Sequence, residues 1–360
     1  MKSKLKKPDF VLITGAPRSG TYLLLTKLAR EYDIAFPVET HFIPIFYRYR
    51  FLWGDLRKVK NREKMLEAIY KFLEIWTPRS ERGRDYSAIK AESLLATRES
   101  ASQIVEHSQN YNELVRAMYA SFGRKKGKGA LGDKSAFFSH VPTKLQASAV
   151  GPLKVIHIIR DGRDVSLSWM RIFTGPKTLT KAAIEWKKHV QQNHRWGEEN
   201  QGSYMSLKYE ELIAYPDTVL EQIARFLNIQ KTGITQSSAG LEQLLATGAM
   251  HEKLASPPIP NNKNFWLSQM TSSELRRFEY FAGDALIQMG YEVTAGSYTF
   301  AQSSGYKISA ALCRVYELFT IRSLRRIVKF HLPLLIWAST NLGVELASIA
   351  DKLDPVERRA

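Results

Sequence analysis

The sequence is poor in the features that would classify it at a glance, and each shortage narrows what it can be. One cysteine, Cys313, stands in 360 residues. That excludes an internal disulfide framework and a thiolate metal cluster, and makes a reducing compartment the expectation. No segment reaches the ~18 uninterrupted apolar residues of a spanning helix; Leu332 to Ala350 comes nearest and is broken by Asn341 and Glu345. Behind the basic start MKSKLKKPDF the apolar run lasts only about five residues before Gly15 and Arg18, which reads as a strand and not a signal peptide. The protein is therefore placed in the cytoplasm. No grouping of His, Cys and carboxylates has metal-ligand spacing, so no metal is expected, and His251 and His331 read as packed side chains. Repeats and low-complexity linkers are missing as well. Acidic residues are the scarcer sign: 35 Asp plus Glu against 52 Lys plus Arg leave +17. Such an excess favours polyanionic partners, whether nucleotide, nucleic acid, anionic lipid or acidic glycan, without choosing among them.

The 44% of hydrophobic residues supplies a sizeable core, and the chain organises around Phe10 to Lys27, FVLITGAPRSGTYLLLTK. Val11, Leu12 and Ile13 suit a strand buried on both faces. Gly15 and Gly20 allow a tight turn and a close ligand approach, and Thr21 opens a helix whose unsatisfied amides attract an anion. A Walker loop would place Lys and then Ser or Thr after its last glycine; here Gly20 is followed by Thr21 and Tyr22. The lysine of an ATP-binding loop is thus missing, and the cation is Arg18, inside the loop.

Further along, Ile34 to Val38 reads as a short second strand stopped near Pro37, which puts Glu39, Thr40 and His41 just past it. If the two strands are parallel neighbours, these residues emerge at the same carboxyl edge as the loop, where open α/β sheets bind ligands. Residues from about Asn61 to Phe122 carry helical spacing, Gly123 to Gly129 reads as a basic solvated turn and not a nucleic-acid site, and Ala130 to Lys134 reads as a strand. Lys154 to Ile159 is a buried strand that ends at Arg160 and leads into a helix through Ser168 and Trp169. A helix over 179–198, a strand over 204–207, a helix over 209–227 interrupted near Pro216, and a capped helix over 271–289 follow. From Gly305 on, Ile308, Leu312, Val315, Leu318 and Ile321 alternate at helical spacing with Lys307, Arg314, Arg322, Arg325, Arg326 and Lys329. Such a helix can lie on an anionic membrane surface, or pack on the domain with its basic face in water. The expected architecture is α/β: a three-layer, doubly wound parallel sheet with a P-loop-like loop over 1–300, and a basic amphipathic helical extension over 301–360.

Two cationic strand-to-helix junctions, at Arg18 and Arg160, imply a ligand with two separated anionic groups. At these residues the chain resembles the sulfotransferases that use 3′-phosphoadenosine-5′-phosphosulfate, PAPS. Their glycine-bounded Pro-Arg/Lys-Ser-Gly-Thr loop appears as Gly15 to Thr21, and their strand ending in Arg with a Ser eight residues later appears as Arg160 and Ser168. Tyr209-Glu210-Glu211-Leu212 is similar to their Tyr-Glu-Asp-Leu segment, and the resemblance spans roughly Asp9 to Val293. It implies sulfuryl transfer to an acceptor hydroxyl or amine, with release of 3′-phosphoadenosine-5′-phosphate, PAP, and without a metal. Pro17, Arg18, Ser19, Gly20 and Thr21 would then hold the 5′-phosphosulfate, and Arg160 and Ser168 the 3′-phosphate. Lys134 would neutralise the leaving phosphate. Tyr209 would touch the nucleotide, or is a core tyrosine, and Lys263 with Trp266 would stand in for a late basic loop.

The acceptor hydroxyl needs a base. Glu39-Thr40-His41-Phe42-Ile43-Pro44 resembles the base segment of the tyrosylprotein type, which points to Glu39, with His41 as rival. Likeness to Golgi-type and bacterial enzymes favours a carbohydrate, glycolipid or tyrosine hydroxyl, with no nucleic-acid partner, and the basic tail favours a lipid-linked acceptor. Two other readings stand beside this one: a phosphate-loop kinase with an atypical loop, and a non-catalytic polyanion-binding protein on the same fold.

Overall fold

The computed structural model describes residues 10–37, 40–76, 100–135, 152–172, 175–232, 263–294, 296, 298–318 and 331–340. Glu39, most of the 256–264 loop, His251, Ile321 and the four basic residues over 322–329 lie outside the described residues. In chain order the elements are β1 (Phe10–Thr14), α1 (Thr21–Glu31), β2 (Ile34–Ala35), α2 (Phe42–Tyr49), α3 (Val59–Trp76), α4 (Ala101–Glu106), α5 (Tyr111–Lys126) and β3 (Ala130–Ser135). There follow β4 (Leu153–Ile159), α6 (Gly162–Met170), α7 (Leu179–Glu199), β5 (Tyr204–Lys208), α8 (Tyr209–Ala214), α9 (Pro216–Leu227), α10 (Ser272–Gln288) and α11 (Phe300–Leu318).

The five strands form one parallel sheet in the order β2-β3-β1-β4-β5. β1 is central, and its alternating side chains feed two cores. Phe10 and Leu12 pack with α2, α3, α4 and α5, whereas Val11 and Ile13 pack with α1, α8 and α9. A third cluster joins α6, α7 and α10 around Trp186 and Phe278. Helices on both faces make the three-layer, doubly wound α/β fold that the strand-helix alternation implies. The expectation that β1 and β2 are neighbours is corrected: β3 lies between them, pairing Ile13 with Lys134 and Ile34 with Ala130. All three strands still run parallel, and Thr40 lies against Asp133 of β3, while Glu39 is outside the described residues. The chain winds outward on opposite sides of β1, which puts the switch point of the sheet at the loop after β1.

Local chemistry explains where elements stop. The Gly123 to Gly129 stretch is not a free turn: α5 runs on to Lys126 and ends at Gly127, whose φ of 62° is the left-handed C-terminal cap. Arg124, Lys125 and Lys126 thus occupy the last turn, where the helix dipole favours cations. Pro216 opens α9 at the position where a missing N–H costs nothing, so the expected interruption falls between α8 and α9. Thr271 and Glu274 close a capping box on α10.

The C-terminal part divides. Helix 331–340 buries Leu332 and Ile336 in the first core, and His331 bonds to the Tyr49 hydroxyl. α11 leans on α10 and α7 through Tyr306, which packs on Tyr280 and Phe281, and through Cys313, whose sulfur lies 3.3 Å from Thr178 Oγ1. Its apolar row is left largely open: Ile308, Leu312 and Val315 are 61%, 64% and 53% exposed. Among the described residues, no helix is long and apolar enough to cross a membrane.

Candidate active site

The loop after β1 is shaped by close approach. A Cβ on Gly15 would sit 2.5 Å from the Ile158 carbonyl of β4, and one on Gly20 would sit 2.4 Å from the Tyr209 ring, so neither position has room for a side chain. Gly20 also has a φ of 92°, readily adopted only by glycine. Between them Pro17 and Ser19 are buried, and the Ser19 amide donates to Ala16 O at 3.1 Å, tightening the turn. That amide is therefore committed to the loop itself. The buried Ser19 hydroxyl has no hydrogen-bond partner among the described residues.

Arg18 holds a left-handed φ of 75°. A non-glycine residue is kept there, at a cost of about 1–3 kcal/mol, only where its surroundings over-determine it. Here they do. Arg18 Nε donates to Ser168 Oγ at 3.1 Å, and Arg160 Nη1 donates to the Arg18 carbonyl at 3.5 Å. The two basic junctions that are 142 residues apart in sequence thus meet, with Arg160 4.5 Å from the centre of the Tyr209 ring. Tyr209 is both things at once: 5% exposed in the core beneath α1, and in contact with the loop and Arg160. Burial first, and then the neighbouring Arg160, pulls the Arg18 guanidinium below its ordinary pKa. Two cations held this way present a seat for an anion.

Arg160, 7% exposed, is steadied by Asp164 at 3.7 Å, and its own carbonyl accepts from Trp186 Nε1 at 3.2 Å. Asp164 also accepts the Trp266 amide at 3.0 Å, which brings the end of the late loop, with exposed Lys263, to α6. Burial raises the Asp164 pKa. Arg163, so close in sequence, does something else. It is 2% exposed, is chelated by Asp161 at 2.8 Å and Glu279 at 2.9 Å, and lies 3.7 Å from the centre of the Trp266 ring.

On the other side of the loop, the register of β3 with β1 brings Lys134 to the start of α1, its ammonium 3.6 Å from the centre of the Tyr22 ring. The preceding Asp133 accepts from Thr40 Oγ1 at 2.6 Å, Tyr119 OH at 2.7 Å and the Lys134 amide at 2.6 Å. Thr40, the residue after Glu39, is thereby pinned to the strand that carries Lys134. His41, 4% exposed with a φ of 53°, is the N-cap residue just before α2. Tyr22, Asp133, Tyr119 and Arg163 were not singled out by sequence reasoning; the register of β3 with β1, which no local spacing reveals, brings in the first three, and the packing of α6 against α10 brings in Arg163. No group of acidic, histidine or cysteine side chains among the described residues is arranged to hold a metal ion.

Among solved structures, the chain is similar to the sulfotransferase domain of the Synechococcus PCC 7002 olefin synthase, with 21% identity, a TM-score of 0.47, and coverage of 76% of this chain and 92% of that one. It is similar to the sulfotransferase domain from the curacin biosynthetic pathway, with 20% identity, a TM-score of 0.44, and coverage of 81% and 100%. Retinol dehydratase in complex with retinol and PAP shares 14% identity at a TM-score of 0.36, over 81% of this chain and 85% of that one. No curated protein matches the sequence. The model of the sulfotransferase family matches residues 8–233, more than half of the chain and the whole of the strand-loop-helix frame that joins Arg18 to Arg160, and the chain belongs to that family.

Proposed function

We propose that this sulfotransferase draws its sulfuryl group from PAPS, delivers it to a hydroxyl of a carbohydrate, glycolipid or other lipid-linked acceptor, and releases PAP. The observation that carries the reading is the meeting of Arg18 and Arg160 across one glycine-framed loop, tied by Ser168. Two guanidiniums from separate junctions suit a nucleotide with an anionic group on each side of its ribose better than a triphosphate chain, which would call for the lysine that is missing after Gly20. The unpartnered Ser19 hydroxyl and the anion-seeking start of α1 fit the same ligand. PAPS supplies the activated sulfuryl group when bound.

The protein's part is to position and to neutralise charge, as in phosphoryl transfer. Arg18, Ser19, Gly20 and Thr21, with Pro17 shaping the turn, would hold the phosphosulfate end; Arg160 and Ser168, with Tyr209 behind them and Lys263 nearby, would hold the 3′-phosphate. Lys134 would offset charge on the departing phosphate. Glu39 would take the acceptor proton, with His41 as the other candidate base; Thr40, between the two, is fixed by Asp133. The experiment is calorimetry with PAP, followed by incubation of labelled PAPS with lipid, glycan and phenolic extracts and mass spectrometry for a sulfate gain. Tight binding of ATP with Mg²⁺ and no response to PAP would overturn the reading in favour of a kinase. Binding to polyanions that falls steeply with salt and survives Arg18→Ala would favour the non-catalytic one.

A lipid-linked acceptor is favoured by the exposed row Ile308, Leu312 and Val315 on α11, which has Lys307 beside it and a basic run after it in sequence. An apolar row with cations beside it suits an anionic membrane surface. The protein is expected to sediment with anionic vesicles at low salt, and Leu312→Glu to reduce that fraction. Equal sedimentation of both proteins would remove α11 from the argument.

A further inference from the structure

Resting on the PAPS reading, we infer that Glu210 is a positioning residue for Arg160: its carboxylate pins the peptide that follows this arginine and so aims the guanidinium at the 3′-phosphate. The register of β5 with β4 pairs Lys208 with Ile159, so the chain leaves both strands side by side at the carboxyl edge, with Arg160 and Asp161 after one and Tyr209 and Glu210 after the other. Glu210 stands half-buried in the first turn of α8, whereas the following Glu211 is exposed. Its Oε1 accepts the Asp161 amide at 3.2 Å. That N–H and the Arg160 carbonyl belong to one peptide plane. The carbonyl accepts from Trp186 Nε1 at 3.2 Å, so the plane is held from both sides. Glu210 is itself anchored, because its Oε2 accepts from the Tyr291 hydroxyl at 3.0 Å. Tyr291 is steadied in turn by Lys208, whose ammonium lies 4.6 Å from the centre of the Tyr291 ring and donates to the Gly290 carbonyl at 2.9 Å. The adjacent Tyr209 has its ring centre 4.5 Å from the Arg160 guanidinium. Two consecutive residues of α8 thus act on the same arginine, Glu210 on its backbone and Tyr209 on its side chain. With the backbone fixed in advance, less freedom is lost when an anion settles on the guanidinium.

The test is calorimetry with two probes, PAP and adenosine 5′-monophosphate, which lacks the 3′-phosphate that Arg160 would face; melting curves are recorded alongside. Glu210→Ala is expected to weaken PAP about tenfold and to leave adenosine 5′-monophosphate within about twofold of the parent. Glu210→Gln, whose carbonyl can still accept the Asp161 amide and whose NH₂ can donate to the Tyr291 oxygen, should stay within about twofold of the parent for both probes. In the Arg160→Ala background Glu210→Ala should weaken PAP no further. Should Glu210→Ala fail to fold, Glu210→Asp, which draws the carboxylate back from the Asp161 amide, takes its place and is expected to lose PAP selectively as well. Equal losses for the two probes, undiminished PAP binding, a loss that persists without Arg160, or a Gln variant as weak as the Ala one would each overturn the assignment. A parent that binds neither probe, or binds PAP no more tightly than adenosine 5′-monophosphate, would instead overturn the PAPS reading and take this inference with it.

Discussion

Arg163→Ala is expected to lose about 3–5 kcal/mol of stability, because it removes the cation from a buried ion triad and leaves two carboxylates without it. Asp161 and Glu279 are 3% and 4% exposed, and Arg163 binds the first through Nε and Nη2 and the second through Nη1. The same guanidinium covers the Trp266 ring. The consequences spread along the fold: Asp161 caps α6, accepting the Arg163 amide at 2.9 Å, and Glu279 accepts the Thr294 amide at 3.1 Å, tying α10 to the segment that follows it. Arg163→Lys should rescue little, since a single ammonium cannot reproduce the forked contacts to two carboxylates. Urea unfolding of the two variants against the parent measures both numbers. A loss below about 1 kcal/mol for Arg163→Ala would show that the triad does not hold α6 to α10. The prediction also separates two arginines that the segment Arg160-Asp161-Gly162-Arg163-Asp164 presents side by side. Arg160 faces the loop, and Arg163 is part of the frame that keeps α6 where Arg160 and Ser168 can reach Arg18.

That separation marks how far the sequence can be read. The loop is legible because its requirements are local: an apolar run long enough for a buried strand, glycines where Ile158 and Tyr209 come too close for a Cβ, and a helix start directly after. The second junction is legible for the same reason. What the residues do not show is anything that depends on which elements lie side by side. Nothing near Ile34 says that β3 will come between β1 and β2, and without that pairing Lys134 has no reason to meet Tyr22, nor Thr40 to meet Asp133. Periodicity likewise finds the row Ile308, Leu312 and Val315 but not its direction, because a helix of this length can anchor itself through residues off that row. α11 does so through Tyr306 among the rings of Tyr280, Phe281 and Tyr298. The helix over 331–340 sits by sequence inside the expected extension, yet it gives Leu332 and Ile336 to the core. The glycine-rich basic stretch misleads for a physical reason: Gly123 is tolerated in α5 because the Leu131 side chain fills the space where its Cβ would be.

Arg18→Gly is expected to separate binding from stability in the opposite sense to Arg163→Ala. In the free protein Arg18 is an expense. Its backbone is left-handed, its guanidinium is partly desolvated, and the adjoining Arg160 lowers its pKa, so the two cations disfavour each other. Against this stand one hydrogen bond to Ser168 and the contact of Arg160 with its carbonyl, and the second of these survives any side-chain change. Glycine relieves the backbone strain, worth about 1 kcal/mol for a left-handed residue, and removes the repulsion. The ligand-free variant should therefore melt at or above the parent's temperature. Saturating PAP should tell the other half. A parent held at about a hundred times its dissociation constant gains about 2.7 kcal/mol by mass action. Loss of one charged donor pair, worth about 1.5–3 kcal/mol, would remove about half of that gain or more. The signature is thus a variant as stable as the parent without PAP and much less stabilised with it. A variant that melts several degrees lower without ligand would mean that Arg18 holds the loop together and is not kept for an anion. If the PAP-induced shift also stayed at the parental size, Arg18 would have no part in binding the nucleotide. Arg163 is a charge whose partners are built into the fold, whereas on the proposed reading Arg18 is one whose partner has to arrive, and the two melting experiments tell these cases apart.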